Sequence, residues 1–274
     1  MNDTTLVTGG TGVLGTALVA RLRAAGRPVR VLSRRPPAPD AVPLEGTEWA
    51  VGDLTSGAGL AAALEGVGTV VHCATDSRRW KNDPVAAERL VEAARAAGSP
   101  HLVYISIVGI DRVPFPYYRA KLAVERIVAG SGLPWTVLRT TQFHDLLLAV
   151  ARQLTRLPVA LVPSGVRMQP VDVADVAARL ADLAAGAPAG CVPDMGGPEV
   201  MTLADAVRAV LRATGGRRPV LEVPLPGGLV RATRHGGLLA PDNPADGHRF
   251  TDFLAEASFD SRRYGAASRG GGQS

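Results

Sequence analysis

The sequence predicts an α/β fold on a doubly wound parallel sheet, with a smaller region appended toward the C-terminus. Three observations predict it. Short β-rich runs alternate with helical patterns of ten or more residues through the first half of the chain, the mark of βαβ units. Those runs are apolar nearly throughout, as strands are when helices cover both faces of a sheet. A glycine cluster separates the first run from the first helix.

The elements follow in order. Thr4 to Thr8 reads as a strand, and the Ala/Leu-rich helix after the glycines ends near Gly26. Val29 to Ser33 is a second strand, followed by a proline-rich loop from Pro36 to Pro43. Glu48 to Val51 is a third strand, Gly59 to Leu64 a short helix and Thr69 to Cys73 a fourth strand. The helix from Pro84 to Ala97 carries proline in its first turn and Gly98 just past its end, the expected asymmetry of helix termini. His101 to Ile105, a helix from Tyr117 to Ala129, and Trp135 to Leu138 complete six strands. Beyond Arg139 the rhythm loosens. Helices are expected at 143–152, 173–185 and 203–213, the last behind Thr202 with Asp205 three residues on, a capping box in outline.

The expected division is a dinucleotide-binding region over residues 1–165, a smaller, partly interleaved substrate-binding region over 166–260 and a fraying Gly/Ser/Arg-rich tail over 261–274. No internal repeat is visible.

Composition narrows the function. Apolar residues make up 46% of the 274, so a large core can form; aromatics are only 4%, so it must consist of Ala, Val and Leu. The two cysteines, Cys73 and Cys191, lack metal-ligand spacing and read as free thiols of a reducing compartment. No signal sequence opens the chain and no apolar run approaches the ~20 residues of a membrane span, so the expectation is a cytoplasmic protein, monomer or homodimer, without a membrane partner. The net charge of +5 is carried by scattered arginines. No basic stripe interleaves with aromatics and no nucleic-acid motif appears, so nucleic acid is not an expected partner. No cluster suggests a metal.

Thr8-Gly-Gly-Thr-Gly-Val-Leu-Gly15 lies between a strand and a helix. Gly9 suits the tight turn, Gly12 the close approach of a diphosphate and Gly15 tight helix packing; Thr11, Val13 and Leu14 supply the backbone around it. The helix N-terminus offers free N–H groups and partial positive charge to phosphates. The second strand ends Ser33-Arg34-Arg35, where NAD sites usually carry an acid ~20 residues past the glycines. Guanidinium groups suit a 2′-phosphate, so the expected cofactor is NADPH/NADP+, with Arg34 as the main contact; two solvated surface arginines are the plain alternative. Asp53 could accept from the adenine amino group while Leu54 packs on its ring, or Asp53 could simply cap a turn. Ala74 and Thr75 follow the fourth strand, where small residues would admit the ribose.

Tyr117 and Lys121 are four apart on one predicted helix and share a face. Ser106 ends the preceding strand. A phenol, an ammonium and a hydroxyl at one sheet edge suit carbonyl reduction: Tyr117 donates the proton, Lys121 lowers the phenol pKa by its charge and holds the ribose, and Ser106 hydrogen-bonds the developing oxyanion. Tyr118 is a second candidate phenol. Phe143 and His144, just past the sixth strand, are expected to contact substrate; a structural histidine is the alternative.

On these residues the chain resembles an atypical short-chain dehydrogenase/reductase of the NmrA-like, NAD(P)H-binding group. The resemblance spans roughly residues 4 to 255. It rests on the glycine cluster, Gly52-Asp53-Leu54, Tyr104-Ile-Ser-Ile-Val-Gly109, Tyr117-Tyr-Arg-Ala-Lys121 with Glu125, and Ser131-Gly-Leu-Pro-Trp-Thr136 with Leu138-Arg139. Gln169-Pro-Val-Asp-Val-Ala-Asp175 and Gly196-Gly-Pro198 complete it. It implies a Rossmann-like sheet of about seven strands, a small C-terminal substrate region, and catalytic roles for Tyr117 and Lys121. Many relatives carry a Ser pair where this chain has Ser106-Ile107. Some members sense NADP(H) without turnover and tend to lack the tyrosine. The reading is therefore an NADPH-dependent oxidoreductase acting on a small organic molecule. An NADP(H)-sensing regulator and an isomerase or epimerase remain as rivals.

Overall fold

A computed structural model describes residues 4–36, 46–76 and 79–257. The expected tail, and most of the proline-rich loop, lie outside the described residues.

Seven strands form one parallel sheet: β1 (Thr4–Thr8), β2 (Val29–Ser33), β3 (Thr47–Val51), β4 (Val67–His72), β5 (His101–Ile107), β6 (Trp135–Thr140) and a short β9 (Gly190–Cys191). Their spatial order is β3-β2-β1-β4-β5-β6-β9. The order reverses direction between β1 and β4, and ligands of open α/β sheets bind outside the carboxyl ends of the strands at such a point.

Alternation along each strand builds two apolar layers. Val7, Val31, Val71, Val103, Ile105 and Leu138 pack under α1 (Val13–Ala24) and α6 (Val173–Ala185). Leu6, Leu32, Val70, Leu102, Tyr104 and Val137 pack under α2 (Leu60–Leu64), α3 (Asp83–Ala96) and α4 (Pro116–Ala129). Because both faces are covered, the strands are apolar at consecutive positions, and this made them legible in the sequence.

A third cluster lies outside the sheet. It joins α5 (His144–Leu154), β7 (Ala160–Pro163), α7 (Leu203–Ala213) and α9 (Phe250–Glu256). Two small sheets serve it: β8 (Arg167–Met168) pairs antiparallel with β10 (Met201–Thr202), and β7 pairs parallel with β11 (Val220–Val223). A short α8 (Gly228–Arg234) precedes α9. Residue 165 does not divide these layers, because α6 and β9 lie beyond it yet complete the main sheet and its cover.

Local chemistry fixes the returns. Asp172 caps α6 by accepting from Ala174 N at 2.7 Å, and Thr202 caps α7 by accepting from Asp205 N at 3.0 Å, each satisfying an orphan N–H of a first turn. The Gln169 carboxamide donates to the Gly197 carbonyl at 2.8 Å and accepts from Ala240 N at 2.8 Å. It ties the segment before α6 to two later loops.

Candidate active site

The glycine turn sits at the strand reversal. Gly9 has φ +71°, and a Cβ there would stand 2.7 Å from Ala74 N. Only glycine lets β1 turn this close to the end of β4. A Cβ at Gly15 would stand 2.1 Å from the Gly9 carbonyl oxygen, so Gly15 packs α1 against the turn itself. Gly10 faces Val31, whose methyl would lie 2.7 Å from an added Cβ; the spacing argument missed that glycine. Gly12 is different. It is exposed, its φ of −81° is ordinary, and an added Cβ would meet only the Gly9 oxygen, at 3.3 Å.

Gly12 is also the N-cap of α1, with no side chain capping it and no acid in the first turn. Thr11 and Val13 are exposed beside it, while Leu14 turns into the core. An open helix start with free N–H groups fits a diphosphate. Arg34 and Arg35 are exposed past the end of β2, and Arg35 N donates to Ser33 Oγ at 3.3 Å. Both guanidinium groups stand without an acidic partner among the described residues. Asp53 caps a turn, accepting from Thr55 N at 2.7 Å, so the plain alternative for it is realised with one of its oxygens. Leu54 packs partly against the core of the α3 side.

Across the reversal, Thr8 Oγ1 and His72 Nδ1 are 2.7 Å apart, and Ala74 N donates to Thr8 Oγ1 at 3.3 Å. Thr75 follows. Its hydroxyl donates to Asp83 Oδ2 at 2.6 Å and lies 3.3 Å from the Tyr117 hydroxyl. The candidate phenol and the candidate cofactor edge are thereby brought into contact, although the two residues are 42 positions apart.

Lys121 lies one turn beyond Tyr117 and is 5% exposed, with its Nζ 5.1 Å from the centre of the Tyr104 ring. Burial holds its pKa below the usual lysine value, against the opposing pull of Asp83. Its charge and, more strongly, burial depress His72 to about 3. The phenol behaves differently from the expectation. Burial raises the pKa of Tyr117, the hydrogen-bond contact with Thr75 opposes the rise, and the Asp83 charge adds to it. The expected lowering by Lys121 is not found, because the buried ammonium faces Tyr104, His72 and Cys73. Tyr118 is pushed up to about 12, chiefly by burial.

Ser106 is in register with Arg139 of β6. Its hydroxyl is enclosed and has no hydrogen-bond partner. Arg139 is held by Glu125 of α4 through two bonds of 2.8 and 2.7 Å and by Asp111 at 2.9 Å, which accounts for the Glu125 and Arg139 positions of the motif as a structural clamp.

His144 requires a correction. Expected at the substrate, it is 0% exposed, with Nε2 3.1 Å from the Pro170 carbonyl and its ring against Phe250 and Phe253. It starts α5 and faces inward, because the helix must bury that position against α9. Phe143 packs partly against the α1/α6 core.

Two features escaped the sequence reading. Asp83, directly before Pro84, was not singled out. The chain's sparse aromatics also gather here: Trp80, Phe115 and Tyr118 have ring centres within 6.4 Å of Tyr117 or of one another. Trp80 belongs to a 3₁₀ turn, Trp80–Asn82, that only the fold brings to α4.

Comparison with known proteins places the chain in a family and supports the fold. The profile of a family described as NAD(P)H-binding matches residues 9–187, and the chain belongs to that family. It is 33% identical over 216 residues to a (4-alkanoyl-5-oxo-2,5-dihydrofuran-3-yl)methyl phosphate reductase of Streptomyces griseus, covering 77% of this chain and 73% of that protein. An NADPH-dependent quinone oxidoreductase of Escherichia coli, solved with NADPH, superposes with a TM-score of 0.76 at 21% identity, covering 92% of this chain and 98% of that one. A nucleoside-diphosphate-sugar epimerase of Staphylococcus aureus superposes with a TM-score of 0.74 at 19% identity, covering 92% and 100%. The two structures share the Rossmann-like fold. The homologues lie in the atypical short-chain dehydrogenase/reductase group, which holds reductases and epimerases. Among the described residues no helix is long and apolar enough to cross a membrane, and no cluster of three ligating side chains could hold a metal ion.

Proposed function

We propose that this member of the NAD(P)H-binding family is an NADPH-dependent oxidoreductase reducing a carbonyl, or a related activated bond, of a small organic substrate. The observation that carries the reading is the contact between Thr75, at the cofactor edge, and the Tyr117 hydroxyl, with Lys121 buried one turn behind. The open start of α1 at Gly12 holds the diphosphate, and the exposed pair Arg34 and Arg35, with Ser33, holds the 2′-phosphate. Ala74 and Thr75 would flank the ribose, with Lys121 the candidate to hold it, and Asp53 and the partly exposed Leu54 would take the adenine. NADPH supplies the hydride when bound.

The chain's own residues then manage the proton. Tyr117 is protonated at neutral pH, since burial and Asp83 both hold its proton on, and it gives that proton to the substrate oxygen. The enclosed, unpartnered Ser106 hydroxyl is the candidate donor to charge on that oxygen. Phe115, 42% exposed, and Trp80 wall the entrance with apolar surface; Phe143 is a further wall.

The Streptomyces griseus relative is named as the reductase of a (4-alkanoyl-5-oxo-2,5-dihydrofuran-3-yl)methyl phosphate, so phosphorylated alkanoyl-dihydrofuranones are the first compounds to assay, with quinones and simple ketones beside them. The test is Tyr117→Phe. Turnover should fall by at least ~100-fold, the worth of a positioned acid, with NADPH affinity kept; unchanged turnover would sink the reading. Conversion of a sugar nucleotide to its epimer without added NADPH would favour an epimerase, and tight binding without turnover a sensor.

A further inference from the structure

Asp83 is the first residue of α3, is 7% exposed and has no part in the cofactor seat just described. It accepts two hydrogen bonds, from Thr75 Oγ1 at 2.6 Å and from Asp76 N at 3.3 Å. A threonine hydroxyl carries one proton and two lone pairs. At 2.6 Å to a carboxylate oxygen that proton is committed, in the shortest and strongest class of hydroxyl bond. The second contact of Thr75, with the Tyr117 hydroxyl at 3.3 Å, must then run the other way, with the phenol donating.

We propose that Asp83 is a positioning residue for Tyr117: it takes the single proton of Thr75, so that Thr75 accepts the phenol proton and holds it in reserve. The inference rests on the reductase reading above and adds to it how the acid is kept loaded. No covalent bond changes; the proton stays on Tyr117 until a substrate oxygen takes it. Three residues from three elements form the chain: the loop after β4, the start of α3 and the first turn of α4.

The net electrostatic direction is upward. Burial raises the Tyr117 pKa, the contact with Thr75 opposes the rise when it is taken as a bond to the phenolate, and the Asp83 charge adds to the rise; which way that contact runs is what the titrations below decide. A hydrogen bond donated by Thr75 would favour the phenolate, but Thr75 has no second proton to donate. The other ionisable groups acting on or beside the phenol are Tyr104 from β5 and Tyr118 on the same helix; Lys121, one turn on, lies over the Tyr104 ring, and Lys81 lies over the Trp80 ring. Among the described residues none of them hydrogen-bonds to the Thr75 oxygen.

The sign of one isosteric change tests the assignment. Phenolate ultraviolet absorbance is titrated in the full chain for wild type, Thr75→Val and Asp83→Asn, each beside its Tyr117→Phe counterpart, so that the difference belongs to Tyr117. If Thr75 accepts, Thr75→Val removes the acceptor that stabilises the neutral phenol, and Tyr117 ionises at lower pH. If Thr75 donates, the same change moves the ionisation to higher pH, and the proposal is overturned. In Asp83→Asn a negative charge is gone and only a weaker, neutral amide oxygen is left to hold the Thr75 proton, so ionisation falls by roughly one pH unit, and the alkaline limb of turnover moves with it. An Asp83→Asn titration that overlays wild type also overturns the proposal. Should Asp83→Asn fail to fold, the sign in Thr75→Val decides alone. Titrations that shift as expected, in a protein that reduces nothing, would leave the proton placement standing and reject the reductase reading. Normal turnover with unmoved titrations would do the reverse.

Discussion

Two alanine substitutions in the glycine turn should have opposite signatures. At Gly15 an added Cβ meets the Gly9 oxygen at 2.1 Å and Gly10 Cα at 2.7 Å. Both are backbone atoms, so the helix must move off the turn. Overpacking of this kind costs about 1–3 kcal/mol, which for a chain of this size lowers Tm by about 2–4 °C per kcal/mol. At Gly12 the backbone already has φ −81° and ψ 172°, open to alanine. Loss of a glycine cap costs up to about 1 kcal/mol, and reduced freedom of the unfolded chain returns about 0.4–1 kcal/mol, so the net change is near zero. The new methyl, however, occupies the exposed start of α1 where the diphosphate belongs. Gly12→Ala should therefore unfold within a degree or two of wild type yet bind NADPH at least ~10-fold more weakly, about 1.4 kcal/mol. Gly15→Ala should lose both stability and binding. Thermal unfolding and NADPH titration by tryptophan quenching read the two quantities separately. Wild-type affinity in Gly12→Ala would refute the placement of the diphosphate on this helix.

Further outcomes follow from the same geometry. Arg34→Ala should lose about 10–100-fold in NADPH affinity, the worth of ~1.5–3 kcal/mol for a charge-assisted bond, and leave NADH binding unchanged; equal loss for both cofactors would count against the 2′-phosphate contact. Burial pushes the Cys73 thiol up to about 12, whereas Cys191 is exposed, so a thiol reagent at mildly alkaline pH should label one cysteine rapidly and the other only on unfolding. The His144 ring beside Asp172, with the Ala174 N–H, holds that carboxyl below its ordinary value. A depressed folded-state pKa contributes stability above the unfolded value and loses it as pH falls through the folded one. Asp172→Asn keeps a capping side chain, so its Tm deficit against wild type should be present at neutral pH and close below about pH 4; a deficit independent of pH would mean the charge is idle.

Strands β1 to β6 and the six helices of eleven residues or more, α1 and α3 to α7, were legible because each carries a strong local signal. Strands buried on both faces are continuous apolar runs, and α3 declares its ends with Pro84 and Gly98. The two-residue strands β8, β9 and β10 were not legible, since they exist only by pairing with distant partners. Tyr117, Lys121 and the glycines could be named as candidates because their spacing is short. Asp83 and Trp80 were missed because their meaning lies in contacts across the sheet edge, to Thr75 and Tyr117. His144 misled for the same reason: its position after a strand end suggested the crevice, and only the packing of α5 on α9 turns the ring inward.

The sign of the Tyr117 environment also bears on the direction of the proposed reaction. Reduction needs an acid that is loaded when substrate arrives; alcohol oxidation needs the same phenol ionised first. Burial and Asp83 favour the loaded form, and Lys121, the obvious counterweight, is turned toward Tyr104 instead. Asp83 thus acts on both members of the pair, raising the proton affinity of Tyr117 and supporting the charge of the buried Lys121. If this holds, reduction should be flat with pH through neutrality and fall only on the alkaline side. Oxidation of the product alcohol with NADP+ should climb over the pH range where reduction is flat. Initial rates in both directions, measured across that range on one substrate pair, separate the cases: an oxidation rate already level at neutral pH would mean that Tyr117 is ionised in the resting protein, and that Lys121 rather than Asp83 governs it.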